Sequence, residues 1–448
     1  MPELVRRLIL ATADRLQRID MAAGEAVQQG GYDGIVVNAV PALFVPGGSS
    51  VWEIGVSDDI KGKADSDYQK RSANPIGADP AETTFVFVTP HRWASKRIWE
   101  KAHKHDGPWR DVRVLDADDL ETWLGLAPSV HAWLSAMLNK SWASVQDLQS
   151  YWTDWREATS PALSAEIVLA GREAAAEDLR TRIEGTSVLV RVQAESADEA
   201  LACIAATIEG MDQADALLAR ALVINDTAGW DWAVNSTSPL ILIPRFTDPN
   251  TAHAIRHGNR VLIPVGREEG SPDDLVLPRL RRDAVKSALL RIGVAEEKAD
   301  DLAARGRTSL TSLRRSLAID KGLAKPAWAH RIEALSLLPA LLAGAWDERK
   351  PGDQEVISEL AERPYQDVER SLARWANASD PPVRKVGSIW FLVSKEDAWQ
   401  LLSAQLTPAD LAQFRKVLLR MLGIPDPALN LPPKERWRAG FNSQEHPL

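Results

Sequence analysis

Apolar residues recur at helical spacing between Met1 and Asp20, at Leu4, Leu8, Leu10 and Leu16, broken by Arg6, Arg7, Asp14, Arg15 and Arg18. That pattern predicts an opening amphipathic helix and not a signal peptide. The period then shortens. Ile35-Val36-Val37 and Val51–Val56 read as strands joined by a turn around Pro46-Gly47-Gly48. Thr83–Thr89 (TTFVFVT) is the best strand signal in this part of the chain, β-branched and aromatic up to Pro90. Helices are expected at Lys63–Ser72, at Arg92–His105 and around Leu120, Trp123 and Leu124, the last capped by Asp116 or Asp118, with a strand at Val112–Leu115. This alternation predicts an α/β sandwich around a mixed sheet over residues 1–140.

Residues 141–165, with Trp142, Trp152 and Trp155, read as a helical connector. A second α/β pattern fills 166–274, with strands at Ser187–Val192, Ala221–Ile224, Pro239–Ile243 and Val261–Val265 and a helix at Asp198–Ile208. Continuous apolar strands between helices predict a buried parallel sheet. From 275 to 448 the strand signal almost vanishes. Ala284–Arg291, Ala295–Ala304 and Ser309–Ala318 form a three-helix pattern with breaks at Gly293 and Gly306, and longer helical stretches follow without a fixed-period repeat. The polar Asn442–Leu448 is expected to fray. The fold class is therefore α/β multidomain with a helical C-terminal region.

A chain of 448 residues exceeds one ordinary core. Its 45% apolar and 26% charged content is that of globular protein, not of disorder. A net charge of −9 argues against a constitutive, nonspecific DNA coat protein, though not against an enzyme with one local basic surface. Cys203 is the single cysteine, which excludes an internal disulfide and a Cys-based zinc cluster and suits a reducing cytoplasm. No apolar run approaches the roughly eighteen residues that span a bilayer. The expected setting is cytoplasmic, with no membrane partner. The tryptophans between Trp93 and Trp155 are read as packing of amphipathic helices rather than as base-stacking platforms.

The chemistry concentrates between Gly31 and Arg71. Asp33 opens one strand and Glu53 sits inside the next. Lys63, Asp67 and Lys70 follow on a helix at i, i+4 and i+7, a spacing that places them on one face. Two carboxylates supply hard oxygen ligands for Mg²⁺, and an ammonium beside them can orient a water or offset phosphate charge. The competing structural reading makes Asp33-Gly34 a hairpin turn, Glu53 a solvent-facing strand residue and the Lys/Asp run a solvated helix face. Arg92, Lys96, Arg97, Lys101, Lys104, Arg110 and Arg113 form a basic stretch with few acids between them, suited to DNA phosphates or simply to a charged helix surface. His103-x-His105 lacks a third close ligand, so a loop position is expected for it.

The helix–strand order, with Asp-Gly paired to a later strand Glu, resembles the restriction-endonuclease-like PD-(D/E)xK nuclease superfamily over roughly residues 1–140. The resemblance implies Mg²⁺-dependent DNA endonuclease activity, with Mn²⁺ as the other accepted ion. Asp33 and Glu53 would be the metal ligands. The superfamily's lysine stands two residues after the Glu, where this chain has Gly55, and Lys63 or Lys70 from the next helix would substitute. By the same analogy two copies, a homodimer or larger oligomer, would cut both strands.

In the middle region Ala221–Asp226 resembles a Walker B strand, Leu240–Arg245 a sensor-type strand, and the helices at 284–318 the lid of a STAND/AAA-type ATPase. Such modules accompany nuclease domains in bacterial anti-phage defence proteins. The strand-to-helix turn reads Gln193-Ala194-Glu195-Ser196-Ala197-Asp198, without GxxxxGK[ST]. Lacking glycines to wrap phosphates and a lysine to offset them, and carrying Glu195 and Asp198, it implies a degenerate scaffold that does not use ATP. The alternative to an active enzyme is a catalytically inactive nuclease-fold module for nucleic-acid binding or assembly.

Overall fold

Helix α1 (Pro2–Thr12) stops well short of Asp20. Ala13 is extended and Arg15 takes a positive φ of 55°, so the chain reverses. Leu16–Met21 becomes strand β1, antiparallel to β2 (Gly34–Asn38), where the helical spacing of the leucines predicts more helix. The correction has a tertiary cause: pairing satisfies the backbone groups on the open edge of β2, a gain that no local pattern registers.

The computed structural model describes residues 1–21, 31–38, 40–329, 332–376, 381–423, 432, 433 and 435, so the expected fraying of Asn442–Leu448 falls outside the described residues. The chain forms two units, one of residues 1–151 with 208–262 and one of 152–207 with 263–448.

In the first unit, β3 (Gly48–Ile54) leads into α2 (Ile60–Ala73), β4 (Thr83–Val88), α3 (Lys96–Asp106), β5 (Asp111–Leu115), α4 (Ala117–Gly125) and α5 (Pro128–Met137). The sheet order is β1-β2-β3-β4-β5, antiparallel from β1 to β3 and parallel from β3 to β5. Side chains alternate across it. Trp52, Val86 and Val88 join Leu8, Ile9 and Trp123 on one face, whereas Val51, Phe85 and Phe87 join Ala64, Tyr68, Trp93, Trp99 and Trp109 on the other. The tryptophans of this region are thus mostly packing residues, as expected. Asp116 caps α4 in a reciprocal box with Asp119. Strands Val145–Asp147, Ala221–Ile224 and Ile241–Pro244 also belong here; the first runs antiparallel to the second, and the other two are parallel.

In the second unit, Leu189–Gln193 pairs in parallel with Leu275–Val276 and feeds the helix Ala197–Glu209. Glu199 in that helix's first turn forms a buried pair with Arg172. The expected three helices appear as Arg282–Arg291, Glu296–Thr308 and Leu310–Ser316. The expectation of almost no strand after 275 is corrected. Ala345–Asp347, Val383–Val386 and Ile389–Leu392 form a three-stranded antiparallel sheet, whose pieces are too short to leave a period in the sequence.

Candidate active site

The β2–β3 register positions the two acids. The β2–β3 ladder ends with Gly34 opposite Trp52, and Asp33 and Glu53 are the residues that follow on the two segments, close enough for Asp33 to act electrostatically on Glu53. Asp33 Oδ2 accepts a hydrogen bond from the Ile54 backbone N–H at 2.7 Å, which ties the mouth of β2 to the end of β3. Glu53 alternates with Trp52 and so faces the layer built by α2 and α3. It is 4% exposed, buried rather than solvated as the competing structural reading would have it.

Helix α2 begins at the cap Asp59, which accepts from the Gly62 N–H at 2.9 Å. Its buried stripe is Ala64, Asp67, Tyr68 and Arg71. Lys63 lies at the rim of that stripe and Lys70 beyond it, exposed. The helix therefore turns Arg71 and Asp67 toward Glu53, leaves Lys63 at the rim beside Gly55, and leaves Lys70 in solvent. Lys63 Nζ donates to Asp67 Oδ1 at 2.8 Å. Asp67 Oδ2 is buried and has no hydrogen-bond partner among the described residues. Arg71 donates through Nε to Glu53 Oε1 and through Nη2 to the Gly31 carbonyl, and its guanidinium lies 4.8 Å from the centre of the Tyr32 ring. Arg71 was not singled out from the sequence. The apolar spacing of Ala64 and Tyr68 marks the stripe on which it falls, and is the signal that finds it.

Burial is the largest influence on Glu53 and pushes its carboxyl up to about 7; Arg71 opposes the shift, while Asp33 and Asp67 add to it. Three acidic side chains and one guanidinium therefore act on one another electrostatically. Gly55 has a specific neighbour. A Cβ at that position would lie 2.9 Å from Lys63 Cγ and 2.5 Å from Phe87 Cζ. The stem of Lys63 passes through the space in which a side chain at 55 would start, and only glycine leaves that space open. Among the described residues no group of three or more His, Cys, Asp or Glu side chains is arranged to hold a metal ion.

The basic stretch is more compensated than its sequence indicates. Arg92 pairs with Asp118, Lys96 with Asp116 and Asp119, Lys104 with Asp111, and Arg113 also with Asp111. Arg97 and Lys101, one turn apart on α3, are exposed and form no ion pair with the described residues. Helix α3 starts at Lys96, which leaves Arg92 in the preceding turn. The loop expected for His103 and His105 is corrected to the last turn of α3. There His103 stacks on Trp99 with ring centroids 3.9 Å apart.

In the middle region, Asp226 caps the helix Thr227–Val234 by accepting from the Gly229 N–H at 2.9 Å, and it also takes the Ser144 hydroxyl at 2.6 Å. At the turn lacking a phosphate-binding loop, Glu195 Oε1 accepts from Arg267 at 2.5 Å and from Arg279 at 2.9 Å.

No protein-family model matches the chain, and no curated protein matches it either.

Proposed function

We propose that residues 1–140 are a Mg²⁺-dependent DNA endonuclease domain of the restriction-endonuclease-like kind, serving bacterial anti-phage defence. The observation that carries the reading is the packing of Lys63 at Gly55. The lysine absent from the strand has its stem, supplied by α2, beside that strand position, on the side of Glu53. Asp33 and Glu53 present hard carboxylate oxygens suited to Mg²⁺, and Asp67, whose buried Oδ2 has no hydrogen-bond partner among the described residues, adds negative potential at Glu53. Asp33 and Glu53 would hold the ion, which when bound supplies Lewis-acid polarisation of a phosphoryl oxygen.

The chain's own groups do the rest. The Ile54 N–H fixes the Asp33 carboxylate and Arg71 fixes that of Glu53. The Lys63 ammonium, steered by Asp67, orients the attacking water or offsets the charge developing on the phosphate. The exposed Arg97 and Lys101, which form no ion pair with the described residues, are available to DNA on α3.

Supercoiled plasmid incubated with Mg²⁺ tests this. D33N, E53Q and K63A are each expected to lower cleavage by about 100-fold or more while folding normally, since each removes a group acting on the reacting atoms. Cleavage by the D33A/E53A double variant at the wild-type rate overturns the assignment. A second reading, an inactive nuclease-fold module for nucleic-acid binding or assembly, draws on the occupation of Glu53 by Arg71. It requires salt-dependent DNA binding by the wild-type chain with no cleavage in either Mg²⁺ or Mn²⁺.

A further inference from the structure

We propose that Arg71 is the positioning residue that joins the two acidic segments into one divalent-cation site; the inference rests on the nuclease reading of Asp33 and Glu53. One buried guanidinium makes three contacts to two different chain segments. Its Nε holds Glu53 Oε1 on β3. Its Nη2 holds the Gly31 carbonyl, two residues before Asp33, and its face covers the ring of Tyr32, the residue adjoining Asp33. No other described side chain touches both Glu53 and the run that leads into Asp33 through contacts of this kind.

The physical need is specific. Glu53 is buried, and a buried carboxylate that must stay ionised and point one way requires a charged, directional donor. Asp33 lies just outside β2, where ladder hydrogen bonds no longer fix the backbone. Its carboxylate is tied to the Ile54 N–H, and the backbone that leads into it is anchored separately, through Gly31 and Tyr32. A planar guanidinium supplies both functions at once, because its donors diverge in a fixed fork while its face remains free to lie on an aromatic ring. A lysine ammonium keeps the charge and loses the fork. Arg71 works through Glu53 and Asp33 and contacts no reacting atom in this scheme.

A competing role gives the opposite sign. If Arg71 merely occupies Glu53 in place of a cation, removing it frees a ligand and tightens cation binding. As a positioning residue, its removal loosens binding.

The test is direct binding of Mn²⁺ to the full chain, followed by the loss of the free-ion EPR signal, with thermal melting recorded for each variant. E53Q is expected to abolish the site. R71K, which keeps the positive charge beside Glu53 and is the variant expected to fold, should weaken Mn²⁺ binding about tenfold, and R71A at least as much. Y32A should weaken it less, because both hydrogen bonds remain. Mn²⁺ binding by a folded R71K equal to or tighter than wild type overturns the positioning role and leaves the nuclease reading intact. Absence of any Glu53-dependent Mn²⁺ binding in the wild-type chain overturns both.

Discussion

Glu53 is the residue at which local chemistry and burial meet most sharply. A carboxyl on a strand that is half apolar is normally a solvent-side residue. Here it lies on the α2 side of the sheet, and burial raises its carboxyl to about 7. The unfolded chain releases that proton near pH 4.3. Between those values the native state binds more protons, so Glu53's contribution to stability is fully present below the lower value and is lost as pH rises through the upper one. E53Q removes this dependence. Relative to wild type, the variant is expected to gain about 3 kcal/mol between pH 4.5 and pH 8, read from paired thermal melts across that range. Parallel profiles for the two proteins would mean that Glu53 is ionised throughout and that Arg71 outweighs burial.

At the scale of elements, α2 and α3 show how the helical period decides which charges act. In α2 the buried stripe rotates Asp67 and Arg71 inward, sets Lys63 at the rim and leaves Lys70 in solvent. In α3 the same logic leaves Arg97 and Lys101 exposed and unpaired among the described residues, while Arg92, Lys96 and Lys104 are held by acids from neighbouring segments. Asp111 lies within the stretch, but Asp116, Asp118 and Asp119 lie beyond its end, as many as 26 residues downstream of their partners, where composition within the stretch does not weigh them. If this helix grips DNA, R97A/K101A should weaken binding at every sequence and reduce the salt slope by about 2, since each cation neutralises one phosphate. R92A should change the slope by much less. Fluorescence anisotropy across a salt series separates the two. An unchanged slope in R97A/K101A would remove α3 from the interface.

For the molecule as a whole, the question is whether the middle region is a working nucleotide switch. Glu195 stands where a phosphate loop would end and is engaged by Arg267 and Arg279. A nucleotide there would meet a carboxylate and would have to compete for both arginines. Thermal melting with about 1 mM ATP and Mg²⁺ is expected to match melting without nucleotide, because a ligand stabilises only by binding the native state. A saturable upward shift, lost in a Glu195-region variant, would restore nucleotide binding to the picture. The net charge of −9 acts at this scale too: it opposes DNA at long range, so any DNA affinity should fall steeply with salt.

The sequence by itself determined much of the order of elements. The strands at 34–38, 48–54, 83–88 and 111–115, the parallel strands of the middle region and most of the later helices follow from period, β-branching and caps, which act over a few residues. It also singled out Asp33, Glu53 and Lys63, because carboxylates and lysines at strand and helix spacing are legible locally. Only tertiary structure decided that Leu16–Met21 is a strand, since its partner lies across a reversal of the chain. Only tertiary structure selected Arg71 over Lys70 and neutralised half of the basic stretch. Those outcomes depend on which helix face meets which sheet face, and on burial that makes an unpaired charge costly. Such terms exist only once distant segments are brought together.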